Sequence, residues 1–146
     1  ETGSRPGAAA APFGGEGGGS ALWLQPEIPM NDFPHHRLDA FHAALDLAQA
    51  AKDLADRVTH GYRSLADQLF RSATSVALLV AEGANRRTPA QKRQRFAEAR
   101  GECGEAAAAA EVLGRLGLLP APEADAFRAD ASRVAAMIAG LVRRFT

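Results

Sequence analysis

The chain is poor in the residues that build covalent and catalytic frameworks. Its one cysteine, Cys103, excludes a disulfide within the chain and any zinc site made of cysteines. One tryptophan, one tyrosine and few β-branched residues argue against a sheet, whose strands favour such side chains. No apolar run reaches the roughly 18 residues that a membrane-spanning helix needs. No charged start followed by an apolar stretch marks a secretory leader. Neither sign of charge dominates, because 17 basic and 17 acidic residues cancel. These absences predict a soluble cytoplasmic protein that meets no membrane.

What is abundant is alanine and leucine, in a chain of 146 residues, long enough for one core. That composition favours helix. The charge is uneven: residues 1–33 hold Arg5 against Glu1, Glu16, Glu27 and Asp32, a net of −3, and the remainder carries +3. Residues 1–33 are expected to form a flexible tail rich in Gly, Pro and Ala, unable to offset the entropy of ordering. Glu1-Thr2-Gly3 reads as a vector remnant, with Met30 as the native start. Within the tail, Leu22-Trp23-Leu24-Gln25-Pro26-Glu27-Ile28 is the one apolar segment, and it could dock in a groove on a neighbouring subunit.

Residues 34–146 carry four helical patterns in succession. The first, over 34–59, has Leu38, Phe41, Leu45, Ala48, Ala51, Leu54 and Val58 on one stripe, with Gly61 as its C-terminal cap. The second opens on Ser64-x-x-Asp67 as a capping box and buries Leu65, Leu69, Ala73, Val76 and Val80, ending near Gly83. Thr88 caps the third, with Pro89 at its first position, where a missing N–H costs nothing. Its stripe is Phe96, Ala99, Cys103, Ala106, Ala110 and Leu113, and Gly117 and Pro120 stop it. The fourth starts at Pro122-Glu123-Ala124-Asp125, acidic as a helix N-terminus favours. It buries Phe127, Ala131, Val134, Ile138, Leu141 and Phe145, with Arg143 and Arg144 in its last turn. Short connections between four helices predict an all-α fold, an antiparallel up-down-up-down four-helix bundle.

Two features stand out on the third helix. Gly101 and Gly104 each cost about 1 kcal/mol in a helix interior relative to alanine. With Glu105, Ala108 and the run Ala106–Ala110 they leave a thin face that another backbone can approach. Tight packing inside one bundle and a subunit interface both fit. The second feature is a basic cluster of Arg86, Arg87, Lys92, Arg93, Arg95 and Arg100 against Glu98 alone. Cations at a helix N-terminus oppose its dipole, so a ligand could explain them. Arg86, Arg87, Lys92, Arg93 and Arg95 would contact phosphates, with salt-dependent binding as counterions are released. A solvated face paired with neighbouring acids, and a protein partner, are the alternatives.

Other constellations are weak. Glu98, Glu102 and Glu105 share one side of the third helix, where pairing with Arg71 or Arg100 is the simplest reading. Only Asp39-x-x-His42 approaches the spacing of a carboxylate-bridged metal site, and the fourth helix has no histidine. His35, His36, Asp39 and His42 crowd one helix start, most simply in solvent. Cys103 has no base nearby in sequence, and neither Ser72 nor Ser75 sits in a nucleophile elbow. No enzyme activity, cofactor, metal or small-molecule substrate is expected.

Gln68, Leu69, Arg71, Ala73, Ser75, Ala81, Glu82 and Gly83, followed by Arg95, Phe96, Ala99, Gly101 and Glu105, resemble a recurrent pattern. It reads Gln-Leu-x-Arg-Ala-x-x-Ser-Ile-x-x-Asn-Ile-Ala-Glu-Gly, then Arg-Phe and Ala-x-Gly-Ser-x-x-Glu. In these residues the chain resembles the bacterial four-helix-bundle family of 23S rRNA intervening-sequence proteins and accessory proteins of diversity-generating retroelements. The likeness spans residues 38–119. Leu79 stands where that family usually has Asn, and Glu102 where it usually has Ser. The resemblance implies a ring of five subunits, for which the thin Gly101, Gly104, Glu105 and Ala108 face is the expected contact. It also implies a non-enzymatic scaffold whose partners are copies of itself and either RNA or a reverse-transcriptase-like protein. A protein-interaction module with no nucleic-acid role is the competing expectation.

Overall fold

The computed structural model describes residues 32–146. The expected tail, the Met30 start and the Leu22–Ile28 segment with Trp23 lie outside the described residues, apart from the last two positions of the tail. Among the described residues there are four α-helices and no strand. A 3-10 turn over Pro34–Arg37 leads into α1 (Asp39–Ala55), followed by α2 (Arg63–Asn85), α3 (Pro89–Arg115) and α4 (Ala121–Arg144).

Each helix packs on the next, and α4 also packs on α1, with α3 making the widest contacts. Their shared core holds Leu47, Leu69, Val76, Val80, Phe96, Leu113, Phe127 and Ile138, interleaved with many alanines. Small side chains bring the helix axes close. A Cβ added at Gly114 would lie 2.8 Å from the Ala124 Cβ, so α3 and α4 nearly touch there.

Contacts between helix ends fix how the elements meet. Asn85, the last residue of α2, bonds through Nδ2 to His35 Nδ1 ahead of α1 at 3.0 Å. Arg57, just after α1, pairs with Glu123 in the first turn of α4. Arg93, near the start of α3, donates to the Phe145 carbonyl just beyond α4 at 2.8 Å.

The sequence reading of α3 holds in detail, whereas α4 starts one residue earlier than expected, at Ala121, and of its expected core face Leu141 and Phe145 are only half-buried. Thr88 Oγ1 accepts from the Gln91 N–H at 3.2 Å, and Pro89 takes the first helical position. All six residues of the expected α3 stripe are buried. Gly117, at φ +75°, closes α3, with Leu118 N–H bonding the Leu113 carbonyl at 2.9 Å and Gly117 N–H the Gly114 carbonyl at 3.1 Å. This pair of bonds is a Schellman motif.

The first two helices required correction. The first pattern is not one helix over 34–59: Pro34 sets a separate 3-10 turn, and past Ala55 only turn bonds continue, ending with Val58 N–H to the Ala55 carbonyl at 3.2 Å. Its inner face is Ala40, Ala44, Leu47, Ala51, Leu54 and Ala55, and Leu45 points outward, 46% exposed. Gly61, at φ +88°, sits six residues beyond the helix end rather than capping it, in the turn where Tyr62 N–H bonds the His60 carbonyl. The Ser64–Asp67 capping box does not form. Helix α2 starts one residue earlier at Arg63, with no side-chain cap. Arg63 makes two contacts instead, donating to the Ala55 carbonyl at 3.2 Å and approaching Asp67 at 3.5 Å. A guanidinium that closes the preceding helix end thus draws away the carboxylate expected in the box.

Candidate nucleic-acid interface

The α2–α3 turn is built so that a large ring crosses a bare backbone. A Cβ on Gly83 would lie 2.8 Å from the Phe96 ring carbons, a distance no side chain tolerates, so only glycine lets the ring settle on α2. Phe96 is 1% exposed, and its ring centroid lies 5.9 Å from that of Phe145. This apolar pin holds the basic turn, the start of α3 and the end of α4 together.

Around it the five cations selected from the sequence do different things. Arg86 pairs with Glu82 at 2.5 Å. Arg95 lies between two carboxylates, Glu82 at 3.2 Å and Glu98 at 2.9 Å. Lys92 Nζ donates to the Ala84 carbonyl at 2.9 Å, closing the end of α2. Arg93 is the residue that ties down Phe145. Arg87 is exposed and has no hydrogen bond or ion pair among the described residues. The geometry of each of the paired groups is already committed to the fold.

Sequence reasoning missed two members of this surface. Arg143 and Arg144, read as residues that complement the dipole of α4, arrive beside the α3 start through the Arg93–Phe145 contact. The Arg144 guanidinium carbon lies 5.7 Å from the Phe145 ring centre, and Lys92 Nζ lies 5.8 Å from it. The signal was present in the expected antiparallel order, which sets the end of the fourth helix against the start of the third. Residues 131–146 contain no Asp or Glu at all. Arg100 and Arg143 flank a groove of about 270 Å³ between α3 and α4, floored by Ala97, Ala139 and Val142.

Among the described residues, a Cβ at Gly101 or Gly104 would meet nothing within 4 Å, which runs against the tight packing inside one bundle that was one expectation for this face. Glu105 and Ala108 are exposed beside them. The acids on α3 are not paired as expected either. Glu98 takes Arg95 rather than Arg100, because Arg95 lies one turn away on the same side of the helix. Glu102 is half-buried, and its carboxyl is held above its usual range by burial first and by Glu105 second, with Arg71 opposing.

The remaining constellations are structural. His42 Nε2 lies 2.9 Å from the His36 carbonyl, and the His35 ring packs against Phe41 at 4.6 Å between centroids. Burial, then the neighbouring His36 and His42, lower the His35 pKa. Among the described residues no three His, Cys, Asp or Glu side chains converge as a metal site would require. Cys103 is a core residue, with its thiol pushed up to about 12 mainly by burial. Ser72 spends its hydroxyl on the Gln68 carbonyl at 2.7 Å. No helix among the described residues is long and apolar enough to cross a membrane.

Residues 36–140 match the family model described as 23S rRNA-intervening sequence protein. No curated protein matches the chain. Among solved structures, the chain is similar to a protein of unknown function from the S23 ribosomal protein family of Bacteroides thetaiotaomicron. The TM-score is 0.66 at 16% identity, covering 70% of this chain and 97% of that one. At that identity the likeness speaks to the fold.

Proposed function

The chain belongs to the 23S rRNA-intervening sequence protein family, and from that premise we propose that it is a non-enzymatic, homo-oligomeric scaffold that carries RNA on a basic face. A nucleic-acid enzyme such as a reverse transcriptase is the other cargo this face would suit. The observation carrying the reading is the convergence of charge. Arg86, Arg87, Lys92, Arg93 and Arg95 from the turn and α3 are joined by Arg143 and Arg144 from α4, with Glu82 and Glu98 as the acids among them. Phosphate contacts from such a surface would position RNA without reading its sequence.

The fold we infer is an antiparallel up-down-up-down bundle, supported by the end-to-end contacts Asn85–His35, Arg57–Glu123 and Arg93–Phe145. Self-association, in a ring of five in the cytoplasm, would use Gly101, Gly104, Glu105 and Ala108. The open space over both glycines supports this, since their helix-propensity cost has no compensation among the described residues.

A second reading has its own support. Four of the five turn cations are already bonded within the chain, which favours a protein-interaction module with no nucleic-acid role. Light scattering of the chain, alone and with RNA at moderate salt, separates the two. A mass five times that of the chain that rises on adding RNA supports the scaffold, and a mass indifferent to RNA supports the interaction module. A monomer defeats the ring.

A further inference from the structure

We infer that the α3–α4 groove flanked by Arg100 and Arg143 is where RNA phosphates are gripped, rather than the α2–α3 turn. The inference rests on the RNA-binding reading and gives it a location. Hydrogen-bond commitments separate the two surfaces. In the turn, Arg86 and Arg95 face carboxylates, while Lys92 and Arg93 are spent on backbone carbonyls. Apart from Arg87, which is unpaired among the described residues, each of these cations has a partner that an arriving phosphate must displace or share. Arg100 and Arg143 have no hydrogen bond or ion pair among the described residues, so their donors are free for an incoming anion.

The groove fits a phosphodiester chain in three respects. Its walls carry two guanidiniums and no carboxylate, and its floor is Ala97, Ala139 and Val142. The Arg143 Nη2 lies 3.8 Å from where a Cβ on Gly140 would sit, one turn back on its own helix. Planar guanidinium forks on opposite walls can each take two oxygens of a phosphate. The apolar floor offers nothing to a base edge, so binding there would be indifferent to sequence.

The test uses the full chain and a short fluorescein-labelled single-stranded RNA of mixed sequence, followed by anisotropy at several salt concentrations. Arg100→Glu/Arg143→Glu should weaken binding by at least about tenfold and flatten the log–log salt dependence by roughly 1.4, for two lost single-strand phosphate contacts. Arg86→Glu/Arg87→Glu should weaken it less. The milder Arg100→Gln/Arg143→Gln, checked by circular dichroism, guards against misfolding and should flatten the salt dependence in the same way. If the groove variants bind like the unaltered chain while the turn variant loses affinity, the groove assignment is overturned and RNA binding stands. If the unaltered chain does not bind the probe, both readings fall. If the groove variants change the mass in light scattering but not RNA affinity, the groove receives a second copy of the chain, and the assignment is overturned.

Discussion

The Phe96 ring occupies the space that a side chain on Gly83 would need, with the nearest ring carbons 2.8 Å from the missing Cβ. The pair fixes the spacing of α2 and α3 at the basic turn. Gly83→Ala should therefore destabilise the chain by about 1–3 kcal/mol, although alanine is the better helix former. Phe96→Ala should cost about 3–5 kcal/mol. Because the two changes relieve and create the same space, urea denaturation of the double variant should give less than their sum. Strict additivity would mean that the ring does not rest on Gly83.

Gly104→Ala has the opposite sign in the isolated chain. With open space over the position, the gain in helix propensity should stabilise a monomer by about 0.5–1 kcal/mol. Gly104→Leu should leave helicity intact while splitting any oligomer built on this face. Circular dichroism paired with light scattering reads both effects, and an unaltered mass for the leucine variant excludes the face as the contact.

Cys103 should be inert to alkylation in the folded protein. Its thiol is buried and pushed up to about 12, so almost no thiolate exists near neutral pH. The folded state keeps its proton above the ordinary thiol pKa of 9.0, where the unfolded chain loses it. Stability should accordingly fall as pH rises from that value toward about 12. Iodoacetamide labelling across a urea series should follow the unfolding curve, and fast labelling of native protein would contradict the burial.

His35 gives a dependence at the acid side. Its lowered pKa means that the unfolded chain takes up a proton first as pH drops below the ordinary value of 6.5, so stability should decline with falling pH there. Replacing His35 with Gln should reduce that slope while sparing some of the contact with Asn85. Thermal melting of both proteins across this range checks it.

Glu102 gives a dependence of the opposite sign through a carboxyl. Burial and Glu105 raise its pKa, so ionisation is disfavoured in the fold and stability contributed by this group is lost as pH rises through the carboxylate range. Glu102→Gln should raise the melting temperature slightly at neutral pH. A clear loss would mean that the charge serves Arg71 or a neighbouring subunit instead.

Legibility in the sequence followed how sharply each helix was marked. In α3 the bulky Phe96, Cys103 and Leu113 fall among charged residues, so only one phase is possible, and Thr88-Pro89 and Gly117 punctuate both ends. In α1 alanines lie on every side and Leu45 is as apolar as Leu47, so periodicity could not choose which faces inward. The Ser64–Asp67 box was a local pattern overridden by a long-range contact, because Arg63 reaches back to the Ala55 carbonyl. The basic cluster was legible as composition, but its bonding was not. Glu82 and Arg95 are distant enough in sequence that only the packing of α2 on α3 brings them together. The groove needed two helices to exist, and one of its walls was read only as a helix end.

The acid-free second half of α4 has a practical result at the bench. With an isoelectric point near 7.2, the protein would be expected to pass through a sulfonate or heparin column at neutral pH. An ion-exchange resin responds to the face presented to it rather than to the sum over the molecule. Lys92 and Arg144 gather at the Phe145 ring and Arg100 and Arg143 line one groove, so the chain should be retained on such a column and be released by salt.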